Sequence, residues 1–357
     1  MRVCVVGGGL AGSMLTWRLA QLPGAPALEL RVNHTADATA ASGGAVKAFE
    51  GDARQRELAT ESLAELLSSP TLQTWSGYQR SRFLSMRAVP DGLDDAVAAI
   101  DARLPGGIEL ADGTALADWH LQGERTVVIE HHAGYTTPGA WRDRVLDDCA
   151  KRGVTIVPGV AGPITERPDG SMRCGGTDYD LVVLATGPWT PQVLRANGFS
   201  ESGYRTKSVQ YALHDLVPGA GWRPPSFSDE VSGLYARPTA GGGVLVGLPA
   251  QKWDVDPDHP PLDEELLDRA AGLLTAMLPR LRLGRATRRV AAADCYRADP
   301  GLALAAVPGT TNLFTFTGGS GGSVKTALAA STAAATALGD FGATSQETTV
   351  GRRKGRS

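Results

Sequence analysis

The first residues with chemical potential are three glycines near the start of the chain, Gly7, Gly9 and Gly12. At this spacing the first permits a tight turn, the second lets the backbone approach a pyrophosphate, and the third lets a helix pack close to a strand. Leu10 and Ala11 then open a helix whose N-terminal N–H groups face the phosphates. The run is weak by itself and gains weight only from a strand before it and a helix after it. A glycine-rich structural turn is the plain alternative.

A second element is the apolar run from Asp180 to Ala185, which ends at Thr186-Gly187-Pro188-Trp189. A third is the glycine-rich stretch Thr317–Lys325, containing Gly319, Gly321, Gly322, Ser323, Val324 and Lys325. It opens the last helix. A helix N-terminus offers unpaired N–H groups and a positive dipole end, which can stabilise negative charge on a ligand. Gly321 and Gly322 leave room for close approach, although a plain helix cap would read the same way. No Ser-His-Asp arrangement and no metal-ligand spacing stands out, so no metal is expected.

A nucleotide-binding turn of this kind expects an acid for the ribose hydroxyls about 20 residues on, at the end of the second strand. Asn33 stands there, and Glu29 falls too early, inside the strand. Asn33 can bond a hydroxyl without charge assistance.

These residues need elements to hold them. Arg2–Val6 reads as a buried strand, a helix follows until Pro23-Gly24, and Leu28–Val32 is a second strand. Residues 52–68 look like an amphipathic helix. Thr137 can cap a helix with Pro138 in its first turn; Trp141, Val145 and Cys149 form its buried stripe. Further strands are expected at Thr126–Ile129, Val154–Val157, Ser208–Leu213, Gly243–Gly247 and Asn312–Phe316. Helices are expected at Glu264–Leu278 and Val324–Leu338, the latter closed by Gly339.

The bulk composition bounds the class. The 357 residues suit two packed domains, and 42% hydrophobic with 20% charged residues is the balance of a globular protein. A net charge of −3 argues against nucleic acid as the main partner. The basic end, Arg352-Arg353-Lys354 and Arg356, follows a polar stretch and reads as a solvated tail. The four cysteines are far apart and show no CxxC or Cys/His cluster, which argues against a disulfide framework or zinc site. No signal peptide precedes the first strand and no apolar run reaches bilayer length, so no membrane partner and a cytoplasmic location are expected.

Taken together, the N-terminal glycine motif and the mid-chain Asp180–Trp189 element resemble the D-amino-acid oxidase superfamily of FAD enzymes, which includes glycine and sarcosine oxidases. The likeness covers most of the chain. Ala41-Ser42-Gly43-Gly44 resembles the family's small-residue loop near pyrophosphate and flavin, and Gly134–Pro138 the stretch before its middle helix. Tyr235–Pro238 with Gly242–Gly247 resembles its strand pair over the flavin; Cys295–Asp299 resembles its late arginine-containing segment. The resemblance implies FAD as cofactor, held by Gly7, Gly9, Leu10, Ala11, Gly12, Asn33, Ser42, Gly43, Gly44, Ala185, Thr186, Gly187, Trp189 and the Gly319–Lys325 turn.

It also implies oxidation of a C–N bond in a small amino acid or amine, by hydride transfer to flavin N5, giving an imine with oxygen as acceptor. Arg297 resembles the arginine that binds the substrate carboxylate in glycine oxidases; an ion pair with Asp294 or Asp299 is the alternative. Arg237 and Tyr211 are further substrate candidates, and Lys325 joins them at the helix opening. The histidine pair His131-His132 reads as structural. Two positions depart from sarcosine oxidases. Leu245 stands where that branch carries an oxygen-promoting lysine. Cys295 lies near, but not at, the spacing of its flavin-linked cysteine. The expected fold is α/β, with a Rossmann-type FAD-binding domain at 1–50, 131–200 and 299–340. A mixed-sheet substrate domain at 51–130 and 201–298 interleaves with it, and a disordered tail spans 341–357. A flavin monooxygenase, a dehydrogenase using another electron carrier, and a non-enzymatic flavin-binding subunit are the rival readings.

Overall fold

The structure is a computed structural model describing residues 1–354, apart from 34–36, 89–91, 112–115, 202, 218–223 and 300, with side chains described as far as Phe341. The chain forms two compact units. One comprises Met1–Thr39, Gly139–Tyr204 and Cys295–Ser357; the other comprises Ala40–Pro138 and Arg205–Asp294. The Ala40–Glu50 and His131–Pro138 segments thus belong to the second unit.

The first unit is built on a six-stranded sheet. Its order is Ala303–Ala306, Leu313–Thr317, Leu181–Leu184, Arg2–Val6, Ala27–Val32, Thr155–Pro158. All neighbours are parallel except the first pair. At the centre, Leu181–Leu184 and Val3–Val6 are apolar and buried at every position because both faces are covered, as parallel sheets require. Cys4, Val6, Val182 and Leu184 pack with Ile164, Met172 and Tyr179 from a small three-stranded antiparallel sheet. The Leu10–Leu19 helix is tied to the Pro138–Lys151 helix by Trp17, whose Nε1 donates to Asp148 Oδ2 at 2.8 Å. Trp141, Val145 and Cys149 are all buried, as their spacing predicts.

The last helix runs over Ser323–Lys354 rather than stopping at Gly339. A Cβ at Gly339 would lie 3.3 Å from Leu22, so that glycine marks helix packing, not a cap. Helical backbone therefore continues through residues that read as tail; residues 355–357 lie outside the described residues.

The second unit holds an eight-stranded mixed sheet. Its order is Leu283–Arg297, Tyr204–Leu216, Val244–Gly247, Tyr235–Pro238, Ser226–Asp229, Phe83–Arg87, Thr126–Glu130, Ile108–Ala111. Ser226–Asp229 and Phe83–Arg87 are parallel. Register makes the sheet two-faced. Leu84, Val127, Phe227, Ala236, Val244 and Val246 project into a core closed by Leu274 and Met277 of the Glu264–Met277 helix. That helix is capped by Asp263, which accepts from Leu266 N–H, and Gln210 bonds both backbone groups of Asp263. The opposite face carries Tyr211, Leu213, Arg237 and Leu245, because Leu213 and Arg237 both stand opposite Leu245.

Candidate active site

In the first unit the N-terminal glycine turn has the geometry its spacing predicts. Gly7 sits at φ +118°, which favours glycine, and a Cβ there would lie 2.3 Å from the carbonyl oxygen of Ala185. The turn thus presses on the end of the Leu181–Leu184 strand, and Ala185 and Thr186 follow directly. At Gly12 a Cβ would meet the Gly7 carbonyl at 2.0 Å and the Ala185 methyl at 2.9 Å. Gly9 is the helix N-cap, with no side-chain cap bond. The Leu10 N–H donates to Thr39 Oγ1 at 3.0 Å, and a Cβ on Gly9 would lie 3.2 Å from the same oxygen. Ala11 and Gly12 N–H groups lie in the first turn, where an α-helix supplies no acceptor from within itself.

Asn33 is exposed immediately beyond the Ala27–Val32 strand, the place expected for a ribose ligand. Glu29 is instead buried in an ion pair with Arg31, N–O 2.8 Å. Thr186 shares a 2.9 Å hydroxyl hydrogen bond with Thr190, and Gly187–Trp189 forms a single 3-10 turn. This arrangement fits a dinucleotide: a helix start with no side chain on its N-cap, a glycine floor that any side chain would fill, and a polar group at the second strand's end. Gly7, Gly9, Leu10, Ala11, Gly12 and Asn33 would hold FAD there, and Thr39 is the residue that motif reading missed. No spacing rule marks a threonine in that connection.

At the C-terminal turn, Gly318 adopts φ +87° and Ser320 adopts φ +49° before a 3-10 turn over Ser320–Gly322. The helix then starts at Ser323, whose hydroxyl donates to Ser320 O at 3.2 Å. A Cβ on Gly319 would lie 2.2 Å from Ser323 Oγ. Gly322 and Val324 are buried, while Gly321 is exposed and Lys325 half-buried. The same turn shapes the setting of Arg297. A Cβ on Gly318 would fall 2.4 Å from both Cγ and Cδ of Arg297, so the glycine makes the notch that holds the arginine's stem. Its guanidinium lies 5.7 Å above the ring of Tyr204, which is fixed by a 2.6 Å hydroxyl hydrogen bond to Thr315. Among the described residues no carboxylate pairs with Arg297, so the ion pair with Asp294 or Asp299 does not form. Asp294 has its own character: burial alone pushes its carboxyl up to about 6.

In the second unit the structure brings together Arg237, Tyr211, Leu245 and the Ser42–Gly44 loop. Gly44 N–H donates to Ser42 Oγ at 3.2 Å, and Gly44, at φ +67°, packs on the carbonyl of Thr136. A Cβ on Gly43 would lie 3.8 Å from Leu245 Cδ1. Arg237 Nε donates to Gly43 O at 2.6 Å and Nη1 to Pro238 O at 2.8 Å, with the guanidinium 4.5 Å over the ring of Tyr135. Burial draws its pKa down; the Tyr135 and Tyr211 phenols act the other way. Burial pushes the Tyr211 phenol up, against the pull of Arg237 and Arg288. Tyr135 lay within a recognised motif, but only its contact with Arg237 gives it a role.

His131 bonds Glu109 at 3.2 Å, and His132 lines a surface pocket of about 640 Å³ with Tyr78, Arg80 and Arg103. All four cysteines are buried and none is joined in a disulfide. No group of three or more metal-ligating side chains occurs among the described residues, and no described helix is long and apolar enough to cross a membrane.

Comparison with known proteins extends this geometry. Glycine oxidase from Geobacillus kaustophilus superposes with a TM-score of 0.70 at 15% identity, covering 92% of each chain. L-Proline dehydrogenase from P. horikoshii gives 0.72 at 15% identity, over 94% of this chain and 92% of that one. L-α-Glycerophosphate oxidase from Mycoplasma pneumoniae, determined with FAD bound, gives 0.72 at 14% identity over 92% of both chains. None of the curated proteins compared matches the sequence significantly. At these identities the structures establish the fold. The family model for FAD dependent oxidoreductases, DAO, matches residues 2–337. With a Rossmann-type FAD-binding domain, a mixed-sheet substrate domain and FAD as cofactor, the chain belongs to the DAO family of FAD-dependent oxidoreductases.

Proposed function

We propose that this enzyme oxidises the C–N bond of a small amino acid or amine to an imine, with removal of hydride from the α-carbon and oxygen as terminal acceptor. Bound FAD supplies the two-electron acceptor. The observation that carries the amino-acid reading is Arg297. Its stem is seated in the Gly318 notch, its guanidinium rests on Tyr204, and no carboxylate among the described residues pairs with it. A guanidinium so placed can take a substrate carboxylate by two parallel bonds and fix the α-carbon's orientation. The Ser323 helix start offers N–H groups and a positive dipole end to negative charge, with Gly321, Gly322 and Lys325 beside it. No histidine or carboxylate is needed as base when the substrate amine reacts neutral, so rate should fall at low pH.

The test is anaerobic addition of amines and amino acids to the holoenzyme, read as flavin bleaching, followed by air and peroxide detection without NADPH. Arg297→Ala should raise KM for amino acids and hardly affect amines lacking a carboxylate. Equal effects on both would make Arg297 structural. A second reading, a dehydrogenase passing electrons to another carrier, is favoured by Leu245: that position on the sheet offers no cation for oxygen. Bleaching with negligible reoxidation in air would select it. A flavin-binding subunit without chemistry would show no substrate-dependent bleaching.

A further inference from the structure

Arg237 is an unusual place to keep a cation. Its guanidinium is half-buried and sits on the sheet face opposite the apolar core. Two backbone carbonyls and one aromatic face hold it rigidly: Gly43 O, Pro238 O and the Tyr135 ring. No carboxylate among the described residues lies within ion-pair distance. Arginine has five N–H donors, and these two bonds leave three without a protein acceptor among the described residues. A desolvated charge lacking a counter-ion is costly. A protein that fixes one in a single orientation has built a receptor whose complement arrives from outside.

The neighbour on the same face has matching chemistry. Tyr211 stands two residues before Leu213, which pairs with Leu245, itself opposite Arg237. Its hydroxyl has no protein hydrogen-bond partner among the described residues. Burial holds the phenol protonated, and therefore a donor, while the charged groups that act on it, Arg237 and Arg288, are both cations. A rigid guanidinium and an unpartnered phenol on one face present donors and no acceptor charge. That is the donor set for a carboxylate.

We propose that Arg237 and Tyr211 form a receptor for an acidic group on the substrate's side chain, so that acidic amino acids or N-carboxyalkyl amines are preferred over neutral substrates of equal size. The proposal rests on the amino-acid reading only for the identity of the molecule that carries the acid. It also gives Arg237 a second duty. Through Gly43 O it ties the Ser42–Gly44 loop to the receptor, so an acid on the guanidinium bears on the loop as well.

The experiment compares glutamate with glutamine and aspartate with asparagine on the holoenzyme, where each pair differs by charge at nearly constant shape. Wild type should prefer the acid by at least about tenfold in kcat/KM. In Arg237→Gln the ratio should fall to about twofold or less, chiefly through KM. In Tyr211→Phe, which leaves the Gly43 contact intact, it should fall about threefold or more. Tyr211→Phe carries the test alone should Arg237→Gln fail to fold. Equal loss on acid and amide in Arg237→Gln would make Arg237 a loop clamp and overturn the proposal. So would release of FAD with an unchanged ratio, which would assign the anion to the cofactor, or a wild type without acid preference. If no amine or amino acid bleaches the flavin, the oxidation reading fails separately. Binding of glutarate against its monoamide, followed by the flavin spectrum in the same variants, then decides the receptor.

Discussion

Gly12 rests against the backbone of Gly7: a Cβ at position 12 would lie 2.0 Å from the Gly7 carbonyl oxygen. That oxygen belongs to a turn already at φ +118°, closed by a 2.9 Å bond from Gly7 N–H to Arg31 O. Neither partner can give way without moving the strand beneath. Gly12→Ala should therefore cost the protein its FAD and lower its Tm, read from the flavin absorbance of purified protein and a thermal melt. A fully yellow Gly12→Ala protein with unchanged Tm would show that the turn yields more readily than its contacts imply.

Asn33 stands where a charge-assisted ribose contact is usual, and a neutral amide makes the weaker bond. Asn33→Glu should tighten FAD binding by roughly three- to tenfold, measured by fluorescence titration of apoprotein. Asn33→Ala with an unchanged Kd would remove Asn33 from the set of ligands.

Leu245 lies 3.8 Å from the place of a Gly43 Cβ, on the face shared with Arg237. A fixed cation at that position would stabilise charge developing on oxygen. Leu245→Lys should speed reoxidation of the reduced enzyme by roughly tenfold or more, followed in stopped flow after photoreduction. No acceleration would mean that oxygen meets the enzyme elsewhere.

Asp294 should make stability depend on pH in a defined direction. Burial raises its carboxyl from 3.8 to about 6. Between those values the folded chain holds a proton that the unfolded chain has lost, so stability falls as pH rises through the window. Above about pH 6 the full cost of the buried charge is present. Asp294→Asn should raise Tm at about pH 8 and give little or no gain at about pH 4, because the buried carboxyl is then protonated and carries no charge. An equal Tm difference at both values would trace the effect to packing.

The nucleotide-binding half was legible because its signals are local. A strand, a glycine turn and a helix occupy consecutive residues, and a parallel strand buried on both faces leaves an unbroken apolar run such as Leu181–Leu184. The second unit hid more. Leu283–Arg297 is a 15-residue strand, yet Arg285, Thr287, Arg288 and Arg289 expose it and break its alternation. The helix Leu93–Arg103 buries only Leu93, Ala96 and Ile100, too thin a stripe to read from the sequence. At the site, Arg297 and Arg237 could be named by type. Tyr204, Tyr135 and Thr39 acquire their roles through contacts between distant segments, such as the 4.5 Å approach of Arg237 to Tyr135. No local pattern encodes those.

The strand order of the parallel sheet also bears on how the chain is made. Arg2–Val6 takes its two neighbours from Ala27–Val32 and Leu181–Leu184, and the latter waits for Leu313–Thr317. During synthesis the N-terminal strands are thus complete long before their sheet can close. Until the last segment emerges, Leu181–Leu184 remains an apolar edge with unpaired backbone groups, open to pairing with another chain. Contacts this far apart in sequence form slowly. Ribosome-stalled chains ending before residue 313 should bind holdase chaperones and aggregate on release, whereas chains carrying the last strand and helix should not.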